Sequence, residues 1–280
     1  MIFKRARYWT QDIAKFLIWI AALSTIALMI LILFQVLKEG LPVLQLHFFL
    51  ESPKEMGREG GILSTIVGTA ALTLVAIVVG APLGVGTAIF LREYTRESKM
   101  SRMIRFGTDC LAGVPSIIFG LFGFVFFVIK LSMGWSILSG GLTLAAMILP
   151  TIISTAEESM MAIPYSYREV SHSLGGTKWQ TVVHVVLPGA LPGILTGILL
   201  SVGRSIGETA AIILTAGSSL VMPTSLFSPI RTMSVHFYIL AREGISMKMA
   251  YGTGAALILF VLIINMMAQW LITRYIRRRA

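Results

Sequence analysis

Two charged residues sit where charge is costly. The stretch Gly203-Arg204-Ser205-Ile206-Gly207-Glu208-Thr209-Ala210 falls inside the apolar run 190–216. A charge at the centre of a bilayer costs at least about 2.5–3.5 kcal/mol on insertion scales, so it calls for a compensating role. Arg204 and Glu208 are four apart and, on one continuous helix, share a face. Ser201, Ser205 and Thr209 make that face polar, and Gly203 and Gly207 would let a neighbouring helix come close. A guanidinium grips tetrahedral oxyanions through a planar fork. Glu208 could hold Arg204 while the path is empty and repel the anion enough for release. Ser205 and Thr209 could add hydroxyl donors, unless they bond back to their own helix. The plainer account of Arg204 and Glu208 is an ion pair that fixes helix packing.

A second stretch, Pro164 to Pro188, is a polar island in a chain that is otherwise hydrocarbon-like. It reads as two short helices broken at Gly175-Gly176. The first, from about Ser166 to Leu174, carries Glu169, Val170 and Ser171 and ends at a glycine, the usual residue past a helix end. The second opens on Thr177-Lys178-Trp179-Gln180, a capping box in which side chains and backbone satisfy each other's orphan groups. Leu187 and Pro188 lead into the next apolar run. Connectors between antiparallel helices usually take about 2–8 residues. This one occupies 157–189, which favours docking of a partner over plain connection.

The elements that must position these residues follow from composition. The chain of 280 residues is 56% hydrophobic and 13% charged, where a soluble domain carries roughly a quarter charged residues. Lipid is the solvent this predicts. The formal charge of +10 does not point to nucleic acid, because the basic residues lie at the ends of apolar runs and form no patch. Six runs are long and apolar enough to cross a bilayer: 16–37, 62–90, 107–129, 139–155, 190–216 and 249–272. The first is too long for the apolar core of a secretory signal and is expected to be a retained span. Pro82 predicts a kink in the second. Asp109 falls in the first turn of the third, as an acid favoured by a helix N-terminus.

With the N-terminus inside, 15 Lys and Arg fall on cytoplasmic segments and 7 on outer loops, which orients the bundle. The expectation is an all-α membrane protein: one transmembrane domain over 1–280, six transmembrane helices, both termini cytoplasmic and the polar island facing the cytoplasm. Arg231, Arg242 and Lys248 then lie in the outer loop 217–248, open to acidic residues of an outer partner. The histidines (His47, His172, His184, His236) have no metal-ligand spacing, and no metal site is expected. The lone Cys110 is expected as a small buried hydrophobe. No nucleophile–base pair suggests an enzyme.

The spacing of the island carries a resemblance. Glu169-Val170-Ser171, three residues, Gly175, nine residues, then Val185-Val186-Leu187-Pro188 resembles the EAA loop of bacterial ABC-importer permeases. Val170 and Ser171 stand where the family has two alanines, and Val185 where it has isoleucine. The resemblance implies that this loop is a coupling helix docking a nucleotide-binding subunit through Glu169, Val170, Ser171, Gly175, Leu187 and Pro188. The stretches GREGGILSTIVGTAALTLVAIVVGAPLGVGTAIFLREY, GVPSIIFGLFGFVFF and GRSIGETAAIILTAG look like the phosphate-specific permeases. TSLFSP…TMSVHFYILAREG and GETA…LTAG look more like their PstA type than the PstC type.

That resemblance implies an ABC-importer permease fold (MetI-like) in the bacterial or archaeal cytoplasmic (inner) membrane. The chain would be half of a heterodimeric pore for inorganic phosphate, paired with a PstC-type permease. A cytoplasmic ATPase dimer would bind the ATP and Mg, and an extracytoplasmic phosphate-binding protein would deliver substrate. The chain has no GxxxxGK[ST] loop, so no nucleotide or other cofactor is expected in it and ATP hydrolysis falls to a separate subunit. Two alternatives stay open: a permease for another oxyanion (sulfate or molybdate), and a proton-coupled secondary transporter using Glu208 as its proton site.

Overall fold

A computed structural model describes residues 2–95 and 98–277, without the side chains of 2–10, 271 and 275–277. The basic residues Lys4, Arg5, Arg7, Arg96, Arg277, Arg278 and Arg279 of the charge argument lie outside the described side chains. Helix α1 spans Ile2–Gly40. It is exposed on every side over 11–35, and its far end packs on the last helix, with Gly40 against Tyr251 and Ala255. Residues 41–62 fold as a cap. This holds α2 (Leu46–Leu50) and a small antiparallel hairpin of β1 (Pro53–Lys54) and β2 (Glu59–Gly60).

Helix α3 (Leu63–Ile89) continues through Pro82 and is extended by a widened π turn, Phe90–Tyr94. The expected third span, 107–129, is not one rod. Helix α4 (Lys99–Ala112) and helix α5 (Ser116–Gly123, extended by a π turn over Phe124–Lys130) meet at a bend of 104°. The cause is local: Pro115 offers no N–H and pushes Val114 away from helical geometry. Asp109 therefore lies in the last turn of α4, not the first turn of a span. Cys110 is exposed, not buried, on the same outward side as Met103 and Phe106.

Helix α6 (Ile137–Met161) is followed by α7 (Tyr165–Ser173) and α8 (Lys178–Thr181). A π turn, Val182–Val186, joins α8 to α9 (Leu187–Gly207), so the chain is helical without interruption from Lys178 to Gly207. Then come α10 (Ala210–Thr215), α11 (Met233–Arg242) and α12 (Met247–Arg277). Among the described residues five helices are long and apolar enough to cross a membrane, and α4–α5 makes a sixth if the bent pair is one span.

Helices α3 and α6 form the centre. Leu72, Ala76, Leu144, Ile148 and Ile152 are buried between them, with Phe119 of α5 and Ile212 of α10 alongside. Lipid tails are as apolar as leucine, so close contact rather than water exclusion holds such helices together. On α9, Gly193 and Gly197 lie directly against Ser159 and Thr155 of α6, where any Cβ would clash. With Gly189, which meets Ile163, these are the close-approach glycines of α9. The expected pair, Gly203 and Gly207, has open space in front of it.

Candidate translocation and docking sites

The expected fifth span, 190–216, breaks at Glu208-Thr209. Glu208 is extended (φ −71°, ψ 137°) and Thr209 is non-helical (φ −126°, ψ −52°). Glu208 Oε1 accepts from the backbone N–H of Thr209 (3.2 Å) and of Ala211 (3.3 Å), which caps α10. Its carbonyl accepts from Ser234 Oγ at 2.6 Å, tying the break to the start of α11. Arg204 and Glu208 thus do not share a helix, and the expected ion pair is not among those of the described residues. Helix dipoles account for both charges instead. Arg204 stands in the last turn of α9, where unpaired carbonyls favour a cation, and Glu208 just ahead of α10, where its carboxylate meets free N–H groups that favour an anion.

Arg204 is exposed. Ser205 is not beside it: it is buried and donates back to Ser201 carbonyl at 2.9 Å, as Ser201 does to Gly197. Thr209 is half-buried and lines a cavity of about 620 Å³ with Gly207, Ser234, Tyr238 and Arg242. Arg242 donates to Tyr238 Oη at 2.8 Å. Arg231, expected to reach an outer partner, is buried: its Nε donates to Ser218 carbonyl at 2.9 Å and its Nη1 lies 3.5 Å from His236 Nδ1. His236, in α11 of the segment 217–248, is fully buried, and Gly57 of the 41–62 cap lies against its ring. Burial, then the Arg231 charge, pushes its pKa down to about 3, so the ring is neutral.

The island forms as its local signals dictate. Gly175 N–H bonds His172 carbonyl (3.0 Å) and Gly176 N–H bonds Ser171 carbonyl (3.0 Å), closing α7 with a Schellman motif. Gly175 has φ +79°, a conformation that favours glycine. Thr177 Oγ1 accepts from Gln180 N–H (3.3 Å) and Gln180 Oε1 from Thr177 N–H (2.9 Å), the capping box read from sequence. Ser171 Oγ and Thr181 Oγ1, 2.8 Å apart, join the two helices. Glu169 is exposed, and Val170 and Leu174 are 59% and 83% exposed. Tyr167, Val170, Leu174 and Val185 line an open hollow of about 620 Å³ between the helices. Leu187 is half-buried and packs against the buried cluster that holds Ala156, Met160 and Ala190, and Pro188 sits in the first turn of α9. These two shape the exit of the island rather than its outer face.

Sequence reasoning missed Arg168. It is the one buried residue of α7, and it grips Glu93, 75 positions earlier, through Nη2 (2.8 Å) and Nε (3.2 Å). The available signal was a pair of opposite charges, each flanking a span on the same side of the bundle.

Residues 80–280 match the family model described as the binding-protein-dependent transport system inner membrane component. The chain belongs to that family. This permease is 32% identical over 242 residues to the phosphate transport system permease protein PstA of Pasteurella multocida (strain Pm70), covering 85% of each chain. It is 34% identical over 240 residues to the PstA of Xylella fastidiosa (strain 9a5c), covering 85% of this chain and 84% of that one. It is 29% identical over 278 residues to the probable ABC transporter permease protein YqgI of Bacillus subtilis (strain 168). Among solved structures, a bacterial alginate ABC transporter aligns with a TM-score of 0.68 at 15% identity, over 93% of this permease and 95% of that chain. The MetNI methionine ABC transporter aligns with a TM-score of 0.60 at 18% identity, over 77% and 94%. These likenesses speak to fold: the permease has the MetI-like ABC-importer fold, as a mostly helical multi-pass membrane protein.

Proposed function

We propose that this ABC-importer permease is the PstA-type half of an inorganic phosphate pore. Its other half is a PstC-type permease, and an outer binding protein supplies the phosphate. Both termini and the island at 157–189 face the cytoplasm, where Glu169, Val170, Ser171 and Gly175 dock an ATPase. That separate subunit binds ATP with Mg and hydrolyses it. The observation that carries the reading is Arg204: an exposed guanidinium in the last turn of α9, one turn before a break that carries Thr209 beside an open cavity. An exposed fork with no carboxylate partner among the described residues is free to take two oxygens of a tetrahedral anion. The relatives named as phosphate transport permeases support phosphate as that anion. Glu208 holds the break open by capping α10, and it sets the place of Arg204 without engaging it.

The test is ATP-dependent uptake in vesicles holding the full complex, with phosphate against sulfate and molybdate. Phosphate is expected to saturate uptake at the lowest concentration. Arg204→Gln is expected to abolish uptake, at least about 100-fold in line with loss of a charge-assisted bidentate contact, while assembly and ATPase binding persist. Normal uptake by that variant removes Arg204 from the path; preference for sulfate or molybdate changes the substrate. Uptake driven by a proton gradient without ATPase would make the chain a secondary transporter.

A further inference from the structure

The ends of α3 and α6 meet α7 at one arginine. The side chains of Arg168 and Glu93 are only 6% and 11% exposed. Nη2 of Arg168 donates to Glu93 Oε1 at 2.8 Å, and Nε lies 3.2 Å from both carboxylate oxygens. Nη2 also donates to Met160 carbonyl at 3.1 Å, and Nη1 to Ile163 carbonyl at 3.0 Å. All three guanidinium nitrogens are thus engaged: one side holds the π turn that ends α3, the other the carbonyls that end α6. No other residue of α7 is buried; Ser171 ties the helix to Thr181 of α8, and the Arg168 contacts tie it to the ends of α3 and α6.

We propose that the Arg168–Glu93 pair is the joint through which movement of a docked ATPase passes from α7 into α3 and α6. This rests on the reading of α7 as the docking helix. Three features support it. Helices α3 and α6 form the centre of the bundle, with Gly80 and Gly84 close against Ile148 and Ile152, so a load on both ends reaches the whole core. A buried two-pronged charge pair is short and directional, whereas an apolar contact would slip. Its partners cannot separate without leaving buried charge unpaired, so the pair resists being pulled open. Arg168 is accordingly a positioning residue for coupling, acting through Glu93.

The experiment uses the complete complex of both permeases and ATPase, reconstituted with Arg168→Lys, Glu93→Gln or both. Lysine keeps the charge and loses the fork; glutamine keeps an acceptor and loses the charge. Co-purified ATPase, ATP hydrolysis and uptake of inorganic phosphate are measured together. Each single variant is expected to retain ATPase and hydrolysis, while phosphate moved per ATP falls about tenfold or more. The double variant is expected to be no worse than the poorer single one, because the two residues act as a unit. An unchanged ratio in assembled complexes overturns the proposal, as do additive losses. Variants that fail to assemble, or that lose the ATPase, would make the pair a static prop or a docking contact and overturn it equally. If the unmodified chain itself holds no ATPase, the docking reading fails, and the joint with it.

Discussion

At Arg204 the last carbonyls of α9 supply the negative potential that an i+4 carboxylate was expected to supply, while Glu208 commits its own carboxylate to the N–H groups of Thr209 and Ala211. The two accounts predict different mutants. Glu208→Ala removes a cap, worth about 1 kcal/mol, and should lower the melting temperature of the purified complex. Glu208→Gln keeps an acceptor oxygen and should melt close to the unaltered protein; an ion pair would make both variants equally damaging. His236 gives a pH dependence. Its folded pKa is lowered to about 3, against about 6.5 unfolded. Between those values the unfolded chain binds a proton that the folded chain does not, so the contribution of His236 is full above pH 6.5 and is lost as pH falls towards 3. Denaturation followed across that window should show a shallower acid slope in His236→Gln; an unchanged slope would place the titration elsewhere.

Among the elements, the turn between α7 and α8 has its own test. Gly175 at φ +79° has nothing within 4 Å of where a Cβ would sit, so Gly175→Ala costs backbone strain alone, about 1 kcal/mol. Thr177→Ala removes a capping box for a similar cost. Each should weaken ATPase binding about fivefold in a pull-down titration with the assembled permeases; unaltered binding would show the turn is not part of the docking face. This turn was legible because each signal acts within a few residues: a glycine where φ must be positive, then Thr177 and Gln180 three apart. The break after Gly207 was not legible. No proline marks it, and Arg204, Ser205 and Glu208 fit an unbroken helix equally well. Long-range contacts select the break: Ser234 Oγ on Glu208 carbonyl, and Gly120 of α5 receiving Ala211 of α10. The Arg168–Glu93 contact was hidden for the same reason, since nothing local links positions 75 apart. The bend at Gly113–Pro115 had a local cause, and hydropathy alone masked it by running on through the bend.

For the whole molecule, the proposed orientation makes a prediction that needs no substrate. In a Cys110→Ser background, a cysteine at Leu174, which is 83% exposed, should react with an impermeant thiol reagent only from the cytoplasmic side. A cysteine at Lys54, exposed in the β1–β2 cap, should react only from the outside. Reversed labelling would invert the bundle. Within that frame the unbroken helix from Lys178 to Gly207 has a mechanical consequence. It shares a buried cluster with α6 from Val186 and Ala190, with Ala156 and Met160, and meets Ser159 and Thr155 at Gly193 and Gly197. Pro188 and Pro192 lie within it, and a π turn joins its two parts; these are the features at which helices bend. At 1.5 Å per residue, about 39 Å separate Lys178 from Arg204. On the proposed docking at the island, the segment is then a hinged strut. Bending at the prolines absorbs part of any displacement at the docked end, and only tilt of α9 as a whole reaches Arg204.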